Sequence, residues 1–460
     1  MPSAGAITPQ TESILDKPHF YPIRLVAKPL LWVVAKIRGI FQIIFGYLIR
    51  IGVFSFGEWN RSFIKRKIIE LYKGGCYDTH DRLSFDPLRL EQAFAILENI
   101  GGIRYNTHSK DGTKLDAMII RYQDVKAKIE EHGGKIVDAV PISINDVRHE
   151  GKETLTLCRE NHNRPQHHVD MILPDKPGEK WDNFYEKNLL NLGLEKADIE
   201  LKNGERVDGF ILNYWDDKKP LRPKQGQCFV RCNAPTESYP MAKRDIMRRV
   251  LGIKNDVLCF DYRGTWKSEG VPSEGGYYLD AETMVEQAAN EFGYDWKDIW
   301  ADGFCLGGGV AMHLKRKYHD KGINVFVQNT FDTMLHTLQC QVFPSNLLAK
   351  FGINEIRSRD PYICAKTEQD SFNSVGKLKK LRNKEKQGVS IVYNTDTDTT
   401  IDKRSYPHLA AGLDRVSKKT FSVFFNHPNK KKNGHSDDIF SYKNMWKTAV
   451  TLITAKDYPE

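Results

Sequence analysis

The sequence lacks a long uncharged hydrophobic run. Its most apolar part, residues 21–56, is interrupted by lysines and arginines, and the longest charge-free stretch, Gly39–Ile49, has eleven residues. A membrane-spanning helix needs about 20 mostly apolar residues, so a clean single span is not predicted. The first sixteen residues also lack the basic start and apolar centre of a secretory signal peptide.

Signs of disulfide and metal chemistry are missing as well. The eight cysteines form no compact disulfide framework, and those in apolar runs are expected to be reduced and buried. Cys228 and Cys232 point to the same face of one predicted strand, and no second ligand pair completes a zinc site with them. His167 and His168 are expected at the surface. The sequence therefore predicts no metal and no cofactor.

Basic charge is moderate and dispersed. The formal net charge is +9, with tight basic runs at Lys377–Arg382 and Lys430–Lys432. The sequence carries no helix-turn-helix, zinc-finger or RNA-binding signature, so nucleic acid is not a predicted partner. The positive charge favours anionic surfaces such as membranes.

The second half of the chain alternates between short β-rich runs and helical segments. Alternation of this kind predicts a mostly parallel central sheet flanked by helices, with the chemistry beyond the carboxyl ends of the strands. The β-rich runs are CFVRCN (228–233), DVLCFDY (256–262), DIWADGF (298–304), INVFVQN (323–329), VSIVYN (389–394) and FSVFF (421–425). Helices are expected at 241–251, 279–292 and 306–321.

The beginning of the chain, residues 1–58, combines a polar start with the apolar and basic segment 21–56. One interpretation is an amphipathic helix lying in a membrane interface, with its cations reaching the headgroups. The other is a helix pair buried against the body of the protein, or a cap over a pocket.

Residues 59–195 are predicted to form an N-terminal helical and hairpin elaboration. Amphipathic helices are expected at 59–76 and 87–100, and the alternation around Asp111-Gly112 predicts a hairpin at 103–120. A similar hairpin at 197–215 turns at Asn203-Gly204 and belongs to the predicted core, residues 196–460.

A candidate nucleophile lies in the sequence Gly303-Phe304-Cys305-Leu306-Gly307-Gly308-Gly309. A predicted strand precedes it and a predicted helix follows, which is the context of a nucleophile elbow. The sharp turn needs small residues two positions to either side of Cys305, and Gly303 and Gly307 meet that need. The helix dipole would favour the thiolate. The alternative is a glycine-rich turn with an incidental buried cysteine.

A nucleophilic cysteine needs a base and an orienting acid, in the chain order nucleophile, acid, histidine. After the 389–394 strand, Asp398 is the preferred acid because Ile401 follows it at a suitable spacing, and Asp396 is the alternative. A plain polar turn also fits. After the 421–425 strand, His435 is the preferred base because a glycine precedes it, and His427 is the alternative.

The oxyanion hole is expected to use two backbone N–H groups. One belongs to Leu306, which follows the nucleophile. The other is assigned to Ala234, in the loop after the 228–233 strand, because the next residue, Pro235, has no N–H.

On these residues, positions 195–455 resemble the α/β-hydrolase superfamily. The Gly-Phe-Cys-Leu-Gly-Gly elbow is similar to that of dienelactone hydrolases, which also use a cysteine. The apolar N-terminal extension, the Lys110–Ala117 hairpin and the Asp261–Gly264 stretch (Asp-Tyr-Arg-Gly) resemble the chlamydial CHLPS hydrolase-like family and the SidB-type secreted effectors of Legionella. The resemblance implies an α/β-hydrolase fold and a setting in the cytoplasm or, after secretion, in a host cell. The Asp261–Gly264 stretch is structural in most relatives.

Two functions follow as hypotheses. The first is a thiol hydrolase or acyltransferase that acts on an ester or thioester, with a lipid or acylated substrate if residues 21–56 meet a membrane. Residues 333–388 would form a lid over its pocket. The second is a hydrolase-like scaffold with little or no activity that acts by binding, which is favoured by the loop after the 228–233 strand because Pro235 has no N–H to donate.

Overall fold

The computed structural model describes residues 87–142, 147–149, 167–175, 183–200, 206–215, 225–234, 237–270, 273–333, 372–398, 401, 405–426 and 453. The segment 21–56, the predicted helix 59–76, and the candidate bases His427 and His435 lie outside these residues. Within the described part of the chain, no helix is both long enough and apolar enough to cross a bilayer.

The described residues form two sheets and the helices around them. The strands are β1 (Ile103–His108), β2 (Lys114–Ile120), β3 (Gly134–Ile142), β4 (Val147–His149), β5 (His167–Pro174), β6 (Glu195–Glu200), β7 (Arg206–Trp215), β8 (Cys228–Cys232), β9 (Asp256–Phe260), β10 (Ile299–Phe304), β11 (Asn324–Gln328), β12 (Val389–Thr395) and β13 (Lys419–Phe425). The helices are α1 (Pro87–Asn99), α2 (Tyr122–Glu131), α3 (Asn183–Asn191), α4 (Lys243–Met247), α5 (Glu274–Asn290), α6 (Leu306–Lys317), α7 (Ser374–Lys379) and α8 (Ser405–Asp414).

The main sheet has eight strands in the order β1-β2-β9-β8-β10-β11-β12-β13. The six strands from β9 to β13 in this order run parallel, and β1 and β2 are antiparallel additions at one edge. All six β-rich runs predicted between residues 228 and 425 are strands of this sheet. The predicted α/β-hydrolase fold, with a mostly parallel sheet flanked by helices, is confirmed.

Helices cover both faces of the main sheet, as the apolar runs require. The Asp302 side chain in β10 meets Arg249, which lies in the helical turn after α4. The next residue, Gly303, lies against the first turn of α6. Because successive strand residues point to opposite faces, α6 and the Arg249 turn lie on opposite sides of the sheet. Long continuous apolar strands such as β12, buried along its whole length, are typical of a sheet covered in this way.

The first predicted hairpin extends the main sheet. Asp111 and Gly112 make its turn, where Gly112 has φ +84° and the Ser109 N–H donates to the Thr113 carbonyl. Arg263 ties the turn to α5 through Asp111, at 2.7 Å, and through Asp280, also at 2.7 Å. The edge hairpin is therefore fixed to the core by a largely buried ion cluster.

The second sheet is antiparallel, with strand order β3-β5-β7-β6-β4. It includes the second predicted hairpin, now β6 and β7. It is inserted between β2 and β8, so strand pairing crosses the predicted division at residue 195. Both attachments lie at the amino end of the parallel strands, because Ile120 pairs with Val257 at the start of β9 and Gln227 precedes β8.

Candidate active site

Cys305 occupies the turn between β10 and α6. Its backbone has φ +52° and ψ −117°, a left-handed conformation that non-glycine residues seldom adopt. The side chain is half-buried, and the residue stands at the N-terminus of a twelve-residue helix. A strained backbone that directs one side chain outward from the strand-to-helix junction is the geometry of a nucleophile elbow.

The glycines around Cys305 allow this turn. A Cβ on Gly303 would lie 2.6 Å from the Gly307 carbonyl oxygen. A Cβ on Gly307 would lie 1.9 Å from the Cys232 carbonyl oxygen, and one on Gly308 would lie 2.2 Å from the Thr330 hydroxyl. The requirement for small residues at 303 and 307, expected from the sequence, therefore has a steric cause.

Hydrogen bonds hold the Cys305 backbone in place. Its N–H donates to the Gln328 carbonyl at 3.1 Å, and its carbonyl accepts from the Gly308 N–H at 3.1 Å. The Thr330 hydroxyl also donates to the Cys305 carbonyl, at 2.5 Å. Thr330 was not singled out by the sequence.

The other described cysteines have different surroundings. Cys228, Cys232 and Cys259 are free and fully buried, as expected. Burial raises the pKa of each of these thiols, that of Cys232 to about 12. They are therefore protonated at neutral pH and poor nucleophiles, because the thiolate is the reactive form.

Ala234 and Leu306, the two predicted oxyanion-hole donors, follow the neighbouring strands β8 and β10. Leu306 is the first residue of α6, so its N–H has no partner within the helix. Cys232 pairs with Gly303 in the parallel register, which brings the exit of β8 beside the elbow. The Cys232 and Asn233 carbonyl oxygens both lie against Gly307, and Ala234 comes next and is half-exposed.

Asp261, which follows β9, anchors the loop that follows β8. Its carboxylate accepts from the Ser238 hydroxyl at 2.6 Å and from the Tyr239 N–H at 2.9 Å. Burial raises the pKa of Asp261 to about 8, although the two hydrogen bonds oppose that rise. Asp261 therefore has a structural role in fixing the loop, as the resemblance implied.

The two candidate acids follow β12. The Asp398 carboxylate accepts from the Ile401 N–H at 2.9 Å, and the residue is half-exposed. The Asp396 N–H donates to the Phe425 carbonyl at 3.0 Å, so its backbone still continues the pairing with β13. β12 is separated from β10 by one strand, which puts the two strand exits about 10 Å apart. An imidazole would fit between a cysteine and an acid at that separation.

The candidate bases follow β13, the neighbour of β12. Phe425, the last residue of β13, pairs with Thr395, the last residue of β12. Residues 427–452 are outside the described part, so His435 and His427 remain predictions. The choice between Asp398 and Asp396 depends on the same missing partner and also stays a prediction.

The predicted lid, residues 333–388, is described only from residue 372 onward. This end contains α7, where Leu378 is buried and packs against Gly412 of α8, and Phe372 packs against Gly309 of α6. Phe372 and Leu378 therefore pack against the helices of the core, and the lid itself stays a prediction. Among the described residues, no cluster of potential metal ligands occurs.

The sequence also gave no signal for Asp332, which follows β11. Its buried carboxylate accepts from the Ser405 hydroxyl at 3.0 Å and from the Thr333 N–H at 2.8 Å. The His408 Nδ1 atom lies 3.6 Å from the same carboxylate. These contacts join chain segments that are far apart in sequence.

No protein-family model matches the chain. The α/β-hydrolase domain-containing protein WAV2 of Arabidopsis thaliana is 30% identical over 152 residues, which are 31% of this chain and 46% of WAV2. Protein bem46 of Schizosaccharomyces pombe is 32% identical over 172 residues, 37% of this chain and 56% of bem46. The lysophosphatidylserine lipase ABHD12 of Danio rerio is 42% identical over 66 residues, 14% of this chain and 17% of that lipase.

The chain spans about half the length of WAV2 and bem46. Its strand order and the turn between β10 and α6 are those of an α/β-hydrolase fold, and its sequence is similar to parts of these proteins.

Proposed function

We propose that the chain is a cysteine-dependent hydrolase or acyltransferase that acts on an ester or thioester. The observation that carries the proposal is the strained, half-buried Cys305 at the start of α6, on glycines that admit no larger residue. A left-handed backbone at a nucleophilic residue is the kind of strain that recurs at functional sites.

In the proposed reaction, the Cys305 thiolate attacks the substrate carbonyl carbon and forms a tetrahedral intermediate. The N–H groups of Leu306 and Ala234 stabilise its oxyanion. His435 takes the thiol proton and delivers it to the leaving alcohol or thiol, while Asp398 orients the imidazole. The acyl-cysteine is then cleaved by water, or by an acceptor alcohol or amine if the enzyme is an acyltransferase.

Two observations support an acyl ester of a lipid as the substrate class. A relative that is 42% identical over 66 residues is a lysophosphatidylserine lipase. Residues 21–56 combine apolar and basic side chains, which suits peripheral contact with a membrane.

The first test is turnover of p-nitrophenyl butyrate by wild type and Cys305→Ala. Turnover should disappear in the variant, since the other described cysteines are all buried. An electrophilic acyl probe should add to Cys305 and not to Cys228, Cys232 or Cys259, as observed by mass spectrometry. Undiminished turnover in Cys305→Ala would reject the assignment.

Matched variants discriminate between the candidate partners. Asp398→Asn should lower kcat by roughly 10³–10⁴-fold, the scale known for the acid of such a triad. Asp396→Asn should leave kcat within about twofold, since it only changes a strand-end residue. The same comparison applies to His435→Ala and His427→Ala, and the reverse order of effects would reassign the triad.

A binding scaffold is the second candidate function. It is favoured by the loop after β8, where Pro235 follows Ala234 and cannot donate a hydrogen bond. Probe addition to Cys305 without turnover of short- or long-chain esters would support this function over the first.

A further inference from the structure

We propose that Thr330 and Asp332, at the exit of β11, are positioning residues that hold the nucleophile and the acid loop in one arrangement. The proposal rests on the function proposed above. β11 lies between β10, which leads to Cys305, and β12, which leads to Asp398. The residues just beyond its end contact the structures on both sides.

Thr330 acts on the elbow. Its hydroxyl donates to the Cys305 carbonyl at 2.5 Å, and its side chain fills the space that Gly308 leaves open. Thr330 is 3% exposed, so water cannot readily replace this hydrogen bond. A strained residue such as Cys305 keeps its conformation only where its surroundings determine it, and this hydrogen bond fixes one of its two peptide planes.

Asp332 acts on the acid loop, which runs from the end of β12 to the start of α8. β12 fixes the first end of this loop through the pairing of Thr395 with Phe425. Asp332 fixes the second end, because its carboxylate accepts from the hydroxyl of Ser405, the first residue of α8. Asp398 lies between these two attachments.

The same residue also ties down α7. The Asp332 carbonyl accepts from the Ser374 N–H at 2.9 Å, at the start of α7. Asp332 and Ser405 are 4% and 0% exposed, so solvent has little access to the hydrogen bond between them. A buried carboxylate that holds a hydroxyl and a backbone N–H costs free energy when either partner is lost, which makes the connection stiff.

Thr330→Val tests the first half of the proposal. Valine keeps the shape and removes the hydroxyl, so kcat should fall by roughly 10–100-fold, because small displacements of a nucleophile reduce the rate strongly. KM should change by less than about threefold, since the substrate contacts remain. Thr330→Ser restores the hydroxyl and should recover most of kcat.

Thr283→Val is the matched control. Thr283 is also buried, and its hydroxyl also donates to a backbone carbonyl, that of Leu279 at 3.0 Å, within α5. The control should keep wild-type kcat whatever it does to stability. Equal kcat in Thr330→Val and wild type, or an equal loss in Thr283→Val, would overturn the role of Thr330.

Asp332→Asn tests the second half. The amide can still accept hydrogen bonds, but it is a weaker partner without charge, so Asp398 should lose its position against the base. The imidazolium then loses support, and the acid limb of the kcat/KM profile should move to lower pH by at least half a unit. A residue that only stabilised the fold would lower Tm and leave this limb unchanged.

Asp256→Asn is the control for this variant. Asp256 likewise accepts from a backbone N–H, that of Tyr122 at 2.7 Å, and from a hydroxyl, that of Tyr294 at 2.5 Å. It lies at the opposite end of the main sheet, so its pH profile should be that of wild type. An unchanged profile in Asp332→Asn would overturn the role of Asp332.

Failure of the proposed function gives a different pattern. If wild type has no turnover, the proposed reaction is rejected, and the rate of Cys305 alkylation by iodoacetamide becomes the measure of positioning. Rates that differ at least fivefold from wild type in Thr330→Val and Asp332→Asn, but not in the two controls, would sustain the positioning role. Rates equal to wild type would overturn it.

Discussion

The two ends of the main sheet hold their backbone in different ways. At the amino end, buried side chains form hydrogen bonds with backbone groups near the starts of the strands. Lys315 donates to the Ile323 and Gln387 carbonyls, and the Asn324 side chain accepts from the Val389 N–H. At the carboxyl end, Cys305 and Asn329 follow β10 and β11 with φ of +52° and +45°. The carboxyl end also uses side-chain hydrogen bonds, such as that of Thr330, but at the elbow it adds a strained backbone on closely packed glycines.

The difference teaches where the fold tolerates change. At the carboxyl end, sharp turns with positive φ bring the strand ends close together at the candidate site. These turns leave no space for a larger side chain at Gly303, Gly307 or Gly308. Each end also buries an ionisable group of opposite kind, Asp261 near the carboxyl end and Lys315 at the amino end. The two ends should therefore differ both in steric tolerance and in how pH changes their stability.

Gly307→Ala should have the largest effect. Its Cβ would lie 1.9 Å from the Cys232 carbonyl oxygen, and that contact is backbone, which cannot rotate away. We expect loss of more than about 4 kcal/mol in unfolding free energy, or failure to fold, which denaturant titration and soluble yield would measure. A variant of wild-type stability would contradict the close packing of the elbow on β8.

Asp261→Asn should change the pH dependence of stability. Burial raises the pKa of Asp261 to about 8, whereas the pKa of this carboxyl in the unfolded chain is near its ordinary value of 3.8. Between these values the folded state binds the extra proton, so this group's contribution is present at low pH and lost as pH rises toward 8. The unfolding free energy of wild type should therefore fall by about 2 kcal/mol relative to that of Asp261→Asn when the pH rises from 5 to 7. If denaturant titration gave the same difference in unfolding free energy between wild type and Asp261→Asn at pH 5 and at pH 7, this prediction would be refuted.

Lys315→Met should give the opposite slope. Burial lowers the pKa of Lys315 to about 7, well below its ordinary value of 10.5. Between these values the unfolded state binds the extra proton, so the contribution is present at high pH and lost as pH falls toward 7. Wild type should gain about 2 kcal/mol relative to Lys315→Met between pH 7.5 and 9.5, as measured by urea unfolding. Equal changes in unfolding free energy for wild type and Lys315→Met over this pH range would show that the slope arises elsewhere.

Gly275→Ala should have the smallest effect and serves as the control for Gly307→Ala. Gly275 lies in the first turn of α5, and a Cβ there would meet nothing within 4 Å. Alanine should stabilise the protein by up to about 1 kcal/mol, because it favours the helix and restricts the unfolded chain. Destabilisation by more than about 1 kcal/mol would mean that glycines are required along this face for another reason.

The local features of the fold could be predicted from the sequence. The elbow is a seven-residue signal in which Gly303 and Gly307 are small for a steric reason. Five of the six parallel strands are buried along most or all of their length, and β13 at the edge is partly exposed. The hairpin at Asp111-Gly112 depends on one turn. In each case the structure depends on residues that are close together in the chain, so a local sequence pattern predicts it.

The non-local features could not be predicted. Most of the second sheet was missed because residues 143–166, which separate β3 from β5, are polar and weakly patterned. The helix expected at 241–251 is instead a 3₁₀ turn, the short α4 and a π turn, 239–252. Asp332 and Thr330 gain their contacts only when three strand exits meet, and no spacing in the sequence records that meeting.

The position of the second sheet has a practical consequence. Because the chain leaves the main sheet after Ile120 and returns at Gln227, both at the end away from Cys305, this module is a natural attachment point for a reporter. A fluorophore coupled there would reveal where the protein goes in a cell without blocking the approach of a substrate to the elbow. The location and the chemistry of the protein could then be measured in one molecule.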